Sequence, residues 1–146
     1  MNRPRYKVNE YSAYVQFSKS RRVLVEGEDD RRFWASLFYV LSICRTDVDI
    51  DDASILKADG EVLGNRGKVE EVCRAADAWP HAHKFAGFVD REYREFEEGY
   101  VLSDRLCGHR VCGRGVWSRG HSVENYFLDY DTVAGATAKV FGSIYF

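Results

Sequence analysis

Two clusters of carboxylates in this chain each follow directly on a short apolar run. Across residues 22–34 the order is R-V-L-V-E-G-E-D-D-R-R-F-W, so Val23, Leu24 and Val25 lead into Glu26 and Gly27, and Asp30 lies four residues beyond Glu26. Across residues 85–92, F-A-G-F-V leads into Asp90, Arg91 and Glu92. A buried strand that ends in an acid sets a negative charge at the edge of an α/β sheet, where open sheets bind ligands and metals. An ionised carboxylate beside a core is costly unless it is paired or bound to a cation. The competing role for Glu26 is an ion pair with Arg31 or Arg91. In extended chain, alternate residues point to one side, so Asp90 and Glu92 can serve one site. Hard oxygen donors of this kind select Mg²⁺ or Mn²⁺ over zinc.

Three further features bear on the same chemistry. Asp30 is a natural helix N-cap, and it still shares a helix side with position 26 once the helix begins. Glu124, in S-V-E-N-Y at residues 122–126, either favours the start of a helix or adds a carboxylate for a second metal. Between Arg105 and His121 stand Arg105, Arg110, Arg114 and Arg119 with no acid among them. A basic loop beside an acidic metal site suits a polyphosphate substrate, although a solvated loop with scattered charge has the same composition. Arg114, Arg119 and Lys68 are the expected nucleic-acid contacts.

Several alternatives fail on spacing. Residues 64–68, G-N-R-G-K, resemble a phosphate loop, but Val62 stands where a glycine is required and Val69 follows Lys68 in place of Ser or Thr. Phosphate contact through Arg66 or Lys68 remains open. Cys107, His109, Cys112 and His121 lack the paired spacing of a zinc site. No Gly-x-Ser-x-Gly elbow supports a serine nucleophile.

The elements that must position these residues are read from periodicity. The expected strands are residues 23–26, 53–57, 85–89 and 116–118, with a short edge strand at residues 14–17. A helix capped by Asp29 or Asp30 runs to about residue 43, carrying the stripe Phe33, Leu37, Leu41 with Trp34 and Phe38. A second helix opens at Lys68, buries Val69, Val72, Cys73 and Ala76, and stops at Trp79-Pro80. A last helix spans residues 131–140. Strand and helix alternation implies parallel βαβ units, and right-handed crossovers place the ends of the first and third of these strands on one edge. Glu26, Asp90 and Glu92 then converge.

At these residues the chain resembles a TOPRIM domain. Glu26-Gly27 with Asp30 matches that family's first motif, and Asp90-Arg91-Glu92 its later Asp-x-Asp, with Glu92 one methylene longer than the usual residue. The run S-V-E-N-Y-F-L at residues 122–128 is similar to one in the OLD-like nuclease branch, which includes the TOPRIM effectors of PARIS-type phage-defence systems. The resemblance implies an α/β fold with a Rossmann-like parallel sheet of about four strands flanked by helices. It implies Mg²⁺-dependent cleavage of DNA or RNA, with Glu26, Asp90 and Glu92 catalytic and Glu26, Asp30, Asp90, Glu92 and Glu124 binding metal. It also implies an ABC-type ATPase partner. A non-catalytic TOPRIM-like module that binds a partner or nucleic acid is the alternative; a primase-like accessory is a third.

With 146 residues and 45 % hydrophobic content, one domain with a usable core is expected. Its organisation reads as an extension over residues 1–20, a TOPRIM-like domain over 21–130, and a C-terminal helix over 131–146. The apolar ending at residues 144–146 suggests a larger parent protein or a partner surface, and a homodimer is compatible with it. A net charge of −2 excludes a uniformly basic nucleic-acid coat. No apolar run reaches the roughly 20 residues of a membrane span, and no secretory signal is evident, so the expected location is cytoplasmic with reduced cysteines.

Overall fold

The computed structural model describes residues 5–40, 47–57, 64–92, 94, 96–97, 103–104, 111–118 and 122. Its centre is a sheet built on β1 (Arg21–Val25), β2 (Val48–Asp52), β3 (Phe85–Val89), β6 (Val111–Cys112) and β7 (Gly115–Trp117), with β4 (Phe96–Glu97) and β5 (Ser103–Asp104) forming a separate antiparallel pair. The strand order is β2-β1-β3-β7-β6; the first four are parallel and β6 runs antiparallel to β7. The helices are α1 (Val8–Phe17), α2 (Glu28–Val40) and α3 (Asn65–Ala76). The fold is α/β and Rossmann-like, as expected from the alternation of apolar runs and helical stripes.

Side-chain alternation assigns the helices to faces. On β3, Gly87 points at Cys73 and Val69 of α3, whereas Phe88 meets Trp34 of α2 edge-on at 4.6 Å. Thus α1 and α3 cover one face and α2 the other. The connection β1–α2–β2 moves to one side of β1, and β2–α3–β3 crosses to the other. Right-handed crossovers in opposite directions demand helices on opposite faces. The reversal falls between β1 and β3, which is the topological switch point where open sheets of this kind bind ligands.

The core lies between the sheet and the α1/α3 layer. Tyr11, Val15, Leu24, Val69, Val72, Cys73, Ala76, Phe85 and Val89 form it, and each large side chain there contributes about 2–3 kcal/mol of burial. Cys73 is buried, as its place on the helical stripe implies. The α2 stripe is only half-buried: Phe33, Trp34, Leu37 and Phe38 all retain some exposure.

Two expected elements are corrected. Residues 14–17 form no edge strand but the last part of α1. Tyr11 and Val15, spaced i, i+4, are both buried, and Tyr14 stacks on Tyr6 with centroids 5.0 Å apart. The interleaved aromatics that suggest a strand are thus shared between a helical inner face and a ring stack. The second strand is Val48–Asp52, not residues 53–57; residues 53–55 make a single 3₁₀ turn instead. The acids of β2 are matched one by one. Arg22 Nη2 lies 3.0 Å from Asp49, the Tyr11 hydroxyl donates to Asp51 at 3.0 Å, and Arg31 Nε lies 3.0 Å from Asp52. Desolvation raises the Asp51 carboxyl above its ordinary range, and Arg22 and the Tyr11 hydroxyl pull it back. The remaining adjustments are at boundaries: β1 is Arg21–Val25 and stops one residue before Glu26, α3 runs from Asn65 to Ala76, and the later strand is Gly115–Trp117. The expected helix over residues 131–140 lies outside the described residues.

Candidate functional site

Glu26 is the first residue after β1, and Asp90 the first after β3. Because the two strands are adjacent and parallel, their ends meet at the switch point. The Asp90 backbone N–H donates to Glu26 Oε1 at 2.8 Å, across 64 positions of chain. The carboxyl of Glu26 is pushed up to about 7, first by desolvation and further by the charges of Asp90 and Asp30; the Asp90 N–H and the Arg66 guanidinium act against this. Three acids and one arginine therefore share one electrostatic neighbourhood. A carboxyl held near neutrality in such a place is suited to exchange protons at physiological pH.

Gly27 and Asp30 fix the turn that presents Glu26. Gly27 is the N-cap of α2: its carbonyl accepts the Arg31 N–H at 3.1 Å, and its own N–H donates to Asp30 Oδ2 at 2.9 Å. Asp30 thus closes the return arm of a capping box from inside the first turn, in place of serving as N-cap itself. Its charge still reaches Glu26. Neither arginine expected as a salt-bridge partner of Glu26 is paired with it. Arg31 is held by Asp52 and Glu28. Arg91 is fully buried and donates from Nε to the Arg94 carbonyl at 2.7 Å.

The segment after β3 departs from the extended chain assumed for an Asp-x-Glu pair. Glu92 adopts a left-handed backbone, φ 54°. Alternation therefore does not apply, and its carboxylate turns to Arg66, with Oε2 2.8 Å from Nη1. The segment is locked at its root. Ser118, fully buried, donates its N–H to the Val89 carbonyl at 3.0 Å, and its hydroxyl oxygen accepts the Arg91 N–H at 2.9 Å.

Arg66, in the first turn of α3, is the site's principal cation. Its Nε donates to Glu70 at 3.1 Å, and its guanidinium lies 5.7 Å from the Trp117 ring centroid. Arg94 approaches the same ring at 5.2 Å and shares Glu70 at 2.9 Å. Only the position of Arg66 in the rejected phosphate loop pointed to it; nothing local in the sequence marks Glu70, Arg94, Trp117 or Ser118.

The expected nucleic-acid contacts are divided. Lys68 lies in the first turn of α3, half-buried, near the edge that carries Arg66. Arg114 does not join the cluster. It precedes Gly115, which pairs with Gly87, so Arg114 stands opposite the start of β3, about 13 Å of strand short of Asp90. Its backbone N–H donates instead to the Cys73 carbonyl at 3.2 Å. Arg119 and Glu124 lie outside the described residues, as do Cys107, His109 and His121 of the zinc alternative.

Among the described residues, no group of three or more His, Cys, Asp or Glu is gathered closely enough to hold a metal ion. The donor chemistry at the strand ends nonetheless suits a hard cation. Glu26 and Asp90 bring carboxylates to adjoining strand ends, tied by the Asp90 backbone N–H, and desolvation with the added charge of Asp90 and Asp30 raises Glu26. No described helix is long and apolar enough to cross a membrane. The chain matches no protein-family model, and no curated protein matches it significantly.

Proposed function

We propose that this chain is a metal-dependent nuclease of TOPRIM type. The observation that carries the reading is the junction of Glu26 and Asp90 at the switch point, with Glu26 raised to about 7 by burial and by its acidic neighbours. Surplus negative charge at the carboxyl ends of parallel strands is relieved by a divalent cation. Glu26 and Asp90 would hold Mg²⁺ or Mn²⁺, with Glu92, Asp30 and Glu124 as further carboxylates. When bound, the ion supplies Lewis-acid stabilisation of a phosphodiester and a more acidic water. Glu26 would act either as a ligand of that ion or, where its carboxylate is left uncoordinated and near neutrality, as the group that accepts and returns a proton. Asp90 fixes Glu26 through its backbone N–H. Arg66 balances negative charge gathering at the site. The sequence resemblance extends the proposal to a phage-defence effector that acts on DNA or RNA with an ABC-type ATPase partner.

One observation favours a second reading. Glu92 is engaged by Arg66, and the described acids fall short of a three-residue metal group. A non-catalytic module that binds nucleic acid or a partner protein has the same appearance. Alanine at Glu26 or Asp90, assayed for cleavage of single- and double-stranded DNA and RNA with Mg²⁺ or Mn²⁺, separates the two. Loss of a wild-type activity by at least about a hundredfold is expected of general acid–base residues. Cleavage by either variant at wild-type rate rules out the nuclease assignment, and nucleic-acid binding with no cleavage by wild type favours the module.

A further inference from the structure

We infer that Arg66 is the phosphate seat of this site, and that Glu92 is an internal stand-in which occupies the seat until a nucleic-acid phosphodiester displaces it. The inference rests on the nucleic-acid reading above and names the group that would recognise the substrate. The Nε of Arg66 is taken by Glu70, and Trp117 lies against its guanidinium. The side chain is therefore fixed from behind, with 11 % of its surface exposed. What remains is the outer edge of the fork, Nη1 and Nη2, which is the edge that grips two oxygens of a phosphate. Both of these nitrogens are buried and lack an aligned hydrogen-bond partner among the described residues.

Glu92 meets only one corner of that edge. Its oxygen comes to 2.8 Å of Nη1, but out of line for a hydrogen bond, so the contact is one of charge alone. Its side chain is 56 % exposed, far more than that of Arg66. Its backbone is left-handed, a conformation that disfavours any residue with a Cβ. A permanent structural ion pair gains nothing from a strained, solvent-facing partner beside an unsatisfied fork. A displaceable one does. The seat is also suitably placed, since Arg66 meets Glu92, two residues beyond Asp90, and its charge is felt at Glu26. A phosphodiester on Arg66 would present its phosphorus to those acids, and the departing Glu92 carboxylate would be released next to them.

The experiment is a double-substitution cycle on the full chain, in EDTA, read by fluorescence anisotropy of a short dye-labelled single-stranded DNA. Glu92→Gln empties the seat and is expected to tighten binding about three- to tenfold. Arg66→Gln is expected to weaken it about tenfold, and the double substitution to bind no better than Arg66→Gln. If Arg66→Gln fails to fold, as judged by circular dichroism, Arg66→Lys takes its place in the cycle, because it keeps the charge and loses the fork. A gain from Glu92→Gln that persists undiminished without the Arg66 fork shows general charge removal and overturns the inference, as does no gain at all. Cleavage with Mg²⁺ is scored separately. Wild type that fails to cleave but obeys the cycle overturns the nuclease reading alone, and wild type that cleaves with a flat cycle overturns the phosphate seat alone.

Discussion

Replacing Glu26 with Gln should stabilise the folded chain at alkaline pH and leave it nearly unchanged in acid. Gln retains the oxygen that accepts the Asp90 N–H, so the substitution removes the charge and keeps the hydrogen bond. The folded state holds the Glu26 proton up to about pH 7, while the unfolded chain releases it near the ordinary value of 4.5. Below that lower value both states are protonated, and the group makes no difference. Between the two values the folded state binds more proton, so wild-type stability falls as pH rises, and above about 7 the penalty is complete. A carboxyl displaced from 4.5 to about 7 carries about 3 kcal/mol at full effect. Glu26 retains access to water, and screening reduces the expected difference to about 1–2 kcal/mol. Urea denaturation of both proteins from pH 4 to pH 8, without divalent ions, measures it. The gap between variant and wild type should open across that window, and thermal unfolding at pH 8 should show a rise of roughly 3–6 °C in Tm. Asp51 is also raised by burial, but it is common to both proteins and cancels in the difference. A gap that stays constant with pH would refute the claim that burial, with its acidic neighbours, raises the Glu26 carboxyl.

Two further substitutions test the scaffold. Gly87→Ala would drive a Cβ into Cys73 Sγ, and such overpacking should destabilise the chain by about 1–3 kcal/mol in chemical denaturation; adding Cys73→Ala should recover part of that loss. Ser118→Ala removes the hydroxyl that accepts the Arg91 N–H and should cost about 1–2 kcal/mol, with faster amide exchange at Arg91 as its specific signature.

How much of this was legible in the chain depended on the local signal. Residues 85–89 are read correctly to the residue, because an uninterrupted apolar run flanked by polar residues has few other fates in an α/β chain. The approach of Glu26 to Asp90 follows from topology alone, since adjacent parallel strands with right-handed crossovers bring those ends together. β2 escaped because Asp49, Asp51 and Asp52 disguise a strand. Their acceptability depends on Arg22, Tyr11 and Arg31, which lie 20 to 40 positions away. The orientation of Glu92 escaped because a left-handed residue breaks the alternation rule, and nothing in Asp-Arg-Glu announces it. Arg66 was visible only as a possible phosphate contact in a failed loop motif, because its setting comes from Glu70, Trp117 and Glu92, of which the last two meet it only after folding.

The acids of β2 also govern how this molecule meets its own copies. Among the described residues β2 is the outermost strand on its side of the sheet, and three of its five residues are aspartates. An incoming strand from another chain would have to lay its backbone along that row and shed water from charges whose counter-ions are already committed inside. Lateral β-addition there is disfavoured, which guards against runaway fibrillar growth. Crowded expression should accordingly yield dispersed protein at neutral pH, and neutralising Asp49 and Asp51 together should expose the hazard that they suppress.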